Sequence, residues 1–333
     1  MEILEAYCED LGRIVEIYDA QEEFFAQTEG KRHRFRFRCS DDDCRAAKNP
    51  LVVGVNYDKN VEDSEKYQQP HFKSHPNHPH LATCKWMESN ANKYKGNSCN
   101  KKRNACHPRP KATNVIDVFA PRNSDSPAQG STFSNTQQPA PVPDDSLQKN
   151  TAHASPHTGT TTTSRLQKLV DCWSNMTKEE RKRHHITIKG HTITYYKLCI
   201  KPENLFEKEN GMRVVYGGAA RPESTPSHYR IRFYDACEHF PLVEGGQSLT
   251  ISLARKRLEQ HRRGSLLMDC IEQSRQRSDQ YYLRVYAWGN ILARTDNNEG
   301  YELRVDSLDN LVLKVVKKQL KYLSITLDKG QAK

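Results

Sequence analysis

Cys39 and Cys44 form a C-x4-C pair, and His80 and Cys84 form an H-x3-C pair at the end of a histidine-rich tract. Thiolates and neutral imidazoles in two half-sites are what tetrahedral Zn2+ requires. Four protein ligands leave no open coordination position, which is the pattern of a structural site. Such a site organises a segment too small to bury its own core, because metal binding then supplies folding free energy. The fourth ligand falls to His80 on helix geometry, with His78 next and His75 or His71 serving if the loop folds back.

The local sequence says how these ligands are positioned. Residues 33–38 alternate Phe35 and Phe37 with arginines, a strand pattern that delivers Cys39 into a knuckle. Pro79 suits a first helical position, so a helix over about 79–90 would set His80 and Cys84 as i,i+4 neighbours. The runs ILEAYC and RIVEIY read as a hairpin of strands 3–8 and 13–18, and LVVGVNY reads as a strand at 51–57. Cys8 then belongs to a strand and not to the ligand set.

A chain of 333 residues suffices for two ordinary domains and a linker. Only 35% of it is hydrophobic, so part of it should lie outside any core. No run approaches the ~20 apolar residues of a membrane helix. MEILEAYCED lacks the basic and apolar layout of an export signal. Ten cysteines then read as reduced thiols and metal ligands, and the expected setting is cytoplasmic.

The net charge of +10 is unevenly spread. Residues 1–90 carry 12 Lys and Arg against 17 Asp and Glu, a balance of −5. Residues 91–164 stand at +5 and residues 165–333 at +10. A polyanionic partner is therefore expected on the second half, and a protein partner on the acidic first module or the linker.

Between about 91 and 164 the composition turns to Ser, Thr, Pro, Asn and Gln, which buries too little apolar area to offset its ordering entropy. This predicts a disordered tether, interrupted by the apolar island NVIDVFAP at 114–121, a candidate docking peptide. Cys99, Cys106 and His107 lie there without a partnered half-site. From Arg165 onward, RLQKLVDCW has helical spacing, and Thr177 with Glu180 forms a capping box. ITIKGHTIT predicts a hairpin about Lys189-Gly190. Strands follow at 213–216, 229–234, 248–253, 281–288 and 301–305, with a helical stretch over 254–275. Five strands with a helix between the third and fourth is the order of an OB-fold barrel.

Two of these strands set arginines among aromatic rings. Arg230, Arg232 and Tyr234 share one face of YRIRFY; Tyr282, Arg284, Tyr286 and Trp288 share one face of YYLRVYAW. Exposed, such faces suit single-stranded nucleic acid, whose bases stack on rings while arginines meet phosphates. Covered by the leading helices, the same aromatics would be core. The run ARKRLEQHRR adds Arg255, Lys256, Arg257, Arg262 and Arg263 as a positive field. No phosphate-binding glycine loop is present, and Asp235 with Glu238 is the best acidic pair for a metal-dependent nuclease.

The N-terminal module resembles the zinc-binding N-terminal region of CoiA-like competence proteins, in which a strand-borne cysteine pair precedes a histidine-rich stretch ending in cysteine. Here that stretch is PHFKSHPNHPHLATC. The resemblance covers about a quarter of the chain and implies Cys39, Cys44, His80 and Cys84 as ligands in a DNA-processing context. It carries over no enzymatic activity, because a tether and a barrel stand where that family has a nuclease-like domain.

The sequence thus predicts an α+β, mostly β protein. Residues 1–90 form a small zinc-binding β-rich module, 91–164 a disordered linker, and 165–325 an OB-like five-stranded barrel with flanking helices. The expected cofactor is Zn2+ and the expected ligand is single-stranded nucleic acid, DNA favoured. A metal-dependent nuclease and a protein–protein adaptor are the rival readings.

Overall fold

The computed structural model describes residues 2–62, 68–87, 115–125, 162–243, 246–294 and 300–318. In order, its strands begin with β1 (Glu2–Ile3), β2 (Glu5–Cys8), β3 (Arg13–Glu16), β4 (Phe37–Cys39), β5 (Leu51–Val55), β6 (Val61–Glu62) and β7 (His71–Ser74). The short β8 (Val118–Phe119) and β9 (Thr162–Thr163) precede β10 (His185–Ile188), β11 (His191–Thr194), β12 (Cys199–Ile200) and β13 (Val214–Ala219). Then come β14 (Glu223–Ser224), β15 (His228–Arg232), β16 (Leu249–Ala254), β17 (Tyr281–Trp288), β18 (Asn290–Ala293), β19 (Tyr301–Arg304) and β20 (Leu311–Lys317). The helices are α1 (Ile17–Ala26), α2 (Asp42–Lys48), α3 (Leu166–Asn175), α4 (Lys178–Arg183), α5 (Tyr195–Leu198), α6 (Arg255–Gln260) and α7 (Gly264–Gln276).

The fold is mixed, with more strand than helix. The first module is a six-stranded sheet, β1-β7-β5-β4-β2-β3, and β2 and β3 pair as the expected hairpin. That hairpin ends two residues earlier than its apolar run. Ile17 and Tyr18 open α1, which buries Ile17, Ala20, Phe24 and Phe25 on one side. Phe35 and Phe37 enter the core around the Tyr57 ring, and the Tyr57 hydroxyl accepts from the Phe35 N–H at 2.6 Å.

All five strands expected of the barrel form, but they divide between two open sheets. One has the order β12-β13-β17-β20-β6 and the other β14-β15-β16-β19-β18. They touch through an Ala219–Phe233 bridge, with Ala220 N–H donating to the Arg232 carbonyl and Tyr234 N–H to that of Gly218. Neither order closes on itself among the described residues, so the expected five-stranded barrel does not appear there. Two strands absent from the sequence reading explain the difference. β20 inserts beside β17, and β6, from the first module, pairs parallel to β20 at Val61–Val315.

Packing crosses the boundaries drawn from composition. One core joins Ile3, Phe24 and Phe72 of the first module to Leu267, Ile271, Leu283 and Val315 of the second. α7 lies between, packed on α1, β17 and β20. The expected 254–275 helix is broken into α6 and α7 at His261–Arg263. A Cβ at Gly264 would stand 1.5 Å from the Leu258 carbonyl oxygen, a close approach only glycine allows. Polar contacts reinforce the joint. Glu22 of α1 pairs with Arg165 at 3.4 Å, Arg262 at 3.2 Å and Arg263 at 3.3 Å, and Tyr18 donates to Asp171 at 2.8 Å.

A second core lies on the other face of β17 and β20. Tyr286, Trp288 and Val312 pack there beneath Leu166, Leu169 and Val170 of α3 and Ile186 and Ile188 of β10. The apolar island joins them. Ile116 and Phe119 are buried, β8 pairs in parallel with β9 and β10, and Tyr195 Oη donates to the Ile116 carbonyl at 2.6 Å. The island is thus docked on its own chain, because its two large apolar side chains complete this core. Of the rest of the expected tether, residues 122–125 and 162–164 are also described, while 91–114 and 126–161, with Cys99, Cys106 and His107, lie outside the described residues.

The smaller expectations hold locally. Thr177 Oγ1 accepts from Glu180 N–H at 3.2 Å while Glu180 Oε2 accepts from Thr177 N–H at 2.7 Å. Lys189 and Gly190 both take positive φ, as a two-residue hairpin turn demands. Cys8, Cys199, Cys237 and Cys270 are buried, and none of the described cysteines is bridged. No helix among the described residues is long and apolar enough to cross a membrane.

Candidate functional site

The structure brings together the four residues singled out by spacing. The ligand atoms of Cys39, Cys44, His80 and Cys84 all lie within 4.8 Å of one another, and all four side chains are buried. Cys39 Sγ is 3.6 Å from Cys84 Sγ, and His80 Nδ1 is 3.5 Å from Cys84 Sγ and 3.7 Å from Cys44 Sγ. Bonds of about 2.3 Å to sulfur and 2.0 Å to nitrogen around a tetrahedral ion imply edges of roughly 3.5–3.8 Å. Three of the six separations meet that test and the rest stay within 4.8 Å, so the four residues could hold a zinc ion. Among the described residues no other group of three or more His, Cys, Asp or Glu side chains converges in this way.

The local chain explains the convergence. Cys39 ends β4, and Asp41 caps α2 by accepting from Cys44 N–H at 2.9 Å, which turns Cys44 back toward Cys39. The other Asp41 oxygen accepts from Lys85 N–H at 3.1 Å, tying the two half-sites together. Leu81 N–H points at Cys44 Sγ from 3.3 Å, and Trp86 Nε1 donates to Ser40 Oγ at 3.1 Å. The helix expected from Pro79 is absent over the described residues. His80 and Cys84 instead sit on successive turns, closed by Cys84 N–H to Leu81 and Met87 N–H to Cys84. A turn suffices because the ligand pair needs proximity, not helical phase. His71 and His75 bond locally, to the Gln69 carbonyl and the Asn77 N–H, and His78 rests against the His75 ring.

The electrostatics favour a cation. Burial pushes the Cys39 and Cys84 thiols above their ordinary range, so three buried thiolates would be costly without one. Burial lowers His80, keeping the imidazole in its neutral, ligating form. His80 Nε2 is buried and has no hydrogen-bond partner among the described residues.

The residues expected to meet nucleic acid fall into three groups. Tyr286 and Trp288 are 4% exposed, because α3 and the β8–β11 sheet cover their end of β17. The outward reading is therefore corrected for Trp288, which is core, while Tyr286 is buried with its ring at the edge of a neighbouring cleft. Four of the five cations in ARKRLEQHRR are bound internally. Arg255 donates to Tyr229 Oη and the Thr225 carbonyl, and Arg257 to Asp125 and the Val305 and Asp306 carbonyls. Arg262 pairs with Asp309 and Glu22; Arg263, 4% exposed, holds Glu22 and the Leu308 and Leu311 carbonyls. Charge alone does not reveal such buried clamps in a sequence. Of the five cations, Lys256 alone is exposed.

The third group remains accessible. Arg230 and Arg232 flank Glu223 at 3.8 and 3.9 Å, and Tyr234 is 60% exposed. Beside the C-terminal turn of α3, which contributes Trp173, the β13–β17 sheet forms a cleft of about 610 Å³. Tyr234, Tyr282 and Arg284 line it, with Trp173, Lys201, Tyr216, Asp235 and Lys318. Tyr216 pairs across the sheet with Tyr286, their rings stacked at 5.7 Å, and Trp173 leans on both. Gly217 and Gly218 form the floor. A Cβ at 218 would meet the Tyr234 ring at 3.0 Å and Tyr282 at 3.4 Å, so both rings converge over that glycine. Arg284 donates to Tyr282 Oη and Lys318 to the Ser278 carbonyl at 2.8 Å, which fixes both cations beside the rings.

Trp173, Tyr216, Lys201 and Lys318 escaped the sequence reading. The alternation of VVYGGA hints at Tyr216, but its register against Tyr286 is a tertiary fact. Among the described residues Asp235 and Glu238 belong to no converging group of three or more His, Cys, Asp or Glu side chains. Asp235 lies 3.7 Å from Lys201, and the neighbouring His239 stacks on Phe206. No protein-family model, curated protein or solved structure matches this chain.

Proposed function

We propose that this protein binds single-stranded nucleic acid, DNA favoured, at the aromatic cleft, with a structural zinc ion at Cys39, Cys44, His80 and Cys84. The cleft carries the reading: tyrosine rings and three cations share one open, glycine-floored end of a sheet. Base–aromatic stacking contributes about 1–3 kcal/mol per base, and cations beside the rings meet the phosphates that link them. Arg230 and Arg232, on the same strand as the approach to Tyr234, extend the positive track from the cleft mouth. The OB-like reading survives as an analogy of mode, sheet-borne stacking, and not of closure.

The zinc ion would hold the β4–α2 knuckle against the 80–87 turns and so stiffen the module packed on α7. It supplies cross-linking, not chemistry, since all four positions are taken by protein. A cytoplasmic DNA-processing role, in line with the resemblance to CoiA-like competence proteins, and a protein partner on the acidic module belong to the same proposal. The test is anisotropy titration of the zinc-loaded full chain against single-stranded DNA, single-stranded RNA and duplex DNA. The account expects the single strands to bind ahead of the duplex, and equal weak binding of all three would favour an adaptor.

A further inference from the structure

Asp235 is the feature of the cleft that strand binding does not explain. A carboxylate beside three cations weakens any phosphate site, yet it faces the cavity, with Oδ2 3.4 Å from where a Cβ at Gly217 would stand. Its charged neighbour Lys201 lies 3.7 Å away, beyond hydrogen-bond reach, and donates to Glu203 at 3.1 Å instead. Asp235 makes no hydrogen bond with any described residue. A carboxylate only 21% exposed thus sits in a ring-lined cavity, with Oδ2 over its glycine floor.

We infer that Asp235 is a base-reading residue and that the cleft seats one guanine nucleotide. This rests on the nucleic-acid reading of the same cleft. An ionised carboxylate only accepts, and it can accept two parallel donors at once. Guanine presents N1–H and an N2 amine side by side on one edge, which matches that fork. Cytosine and adenine offer one exocyclic amine beside a ring acceptor, which repels the second oxygen. Thymine and uracil offer a single N–H between two carbonyls. With the base edge on Asp235 and its face on a tyrosine, the phosphate falls to Lys201, Arg284 or Lys318. Gly217 and Gly218 leave the room: a Cβ at either would fill the floor where the base lies.

The experiment uses the zinc-loaded full chain and labelled oligo(dT) strands carrying one central dG, one central inosine, or neither, with free GMP as a separate probe. The dG strand is expected to bind about tenfold more tightly than oligo(dT), the range of one bidentate base contact. Inosine, which lacks the N2 amine, should lose most of that gain. In Asp235→Asn the dG-to-dT ratio should fall to within about twofold. Should that variant misfold, the inosine strand still decides. Equal affinity for dG, inosine and dT strands would overturn the inference while leaving strand binding intact. GMP binding without strand binding would keep guanine as the ligand and overturn the strand reading. Failure of every strand and of GMP would overturn both.

Discussion

The Arg263 guanidinium lies 3.3 Å from the Glu22 carboxylate, and both side chains are almost fully enclosed. This pair joins the basic helical run of the second half to α1 of the first module. It is buttressed by Arg165 and Arg262 on Glu22 and by Asp309 on Arg262. Burial opposes both charges: it raises the Glu22 carboxyl and lowers Arg263. Removing one partner leaves the other buried and uncompensated. Glu22→Ala should therefore cost about 3–5 kcal/mol in denaturant unfolding of the full chain. A loss below about 1 kcal/mol would show that the joint does not depend on this pair.

Asp309 gives the joint a pH dependence of known sign. Burial alone would raise its carboxyl, but Arg262, Arg263 and Arg122 outweigh it and hold the group below its ordinary 3.8. A folded pKa below the unfolded one means stability that is present above pH 3.8 and lost as pH falls through the lower folded value. Glu22, raised above 4.5, works in the opposite direction over a neighbouring window. The stability difference between the native chain and Asp309→Asn should thus be full near neutrality and shrink below about pH 4. Urea unfolding of both across that range tests it, and a difference that grows on acidification would refute the assignment.

Much of this arrangement was legible in the sequence, and the limits have physical causes. The four cluster residues could be read because ligand chemistry restricts residue type and spacing, whatever holds the backbone. The Thr177 box, the Lys189-Gly190 turn and the five strands could be read because each depends on neighbours in sequence. The burial of Tyr286 and Trp288 could not, since it depends on α3, over a hundred residues earlier, lying across them. Nor could the internal pairing of Arg257, Arg262 and Arg263, because a charged run looks the same whether water or Asp125, Asp309 and Glu22 face it.

The metal centre makes a separate prediction. The purified chain should carry a single zinc, and its removal by chelator should lower the unfolding temperature and quench zinc-dependent order around Trp86, which packs on the cluster. His80→Ala should abolish retention, while His78→Ala should leave it near native. Zinc analysis by mass spectrometry separates the two, and retention in His80→Ala with loss in His78→Ala would move the fourth ligand.

Core and cleft aromatics should respond in different ways. Trp288→Ala removes a core side chain and should cost about 3–5 kcal/mol of stability. Tyr234→Ala, at a 60% exposed position, should leave stability within about 0.5 kcal/mol and weaken oligonucleotide binding by about 1–3 kcal/mol. Thermal unfolding beside anisotropy titration distinguishes these effects. Strong destabilisation by Tyr234→Ala would place that ring in the core.

The central claim is that the open end of the β13–β17 sheet binds single strands. Its most direct test is the affinity of the zinc-loaded full chain for oligo(dT) across a salt series, repeated with Arg284→Ala and Tyr282→Ala. The account predicts affinity that falls linearly on a log–log plot with salt. The slope should be reduced by about 0.7 in Arg284→Ala, and the affinity lowered in Tyr282→Ala with the slope unchanged. Absence of binding at low salt, or binding indifferent to both substitutions, would contradict it.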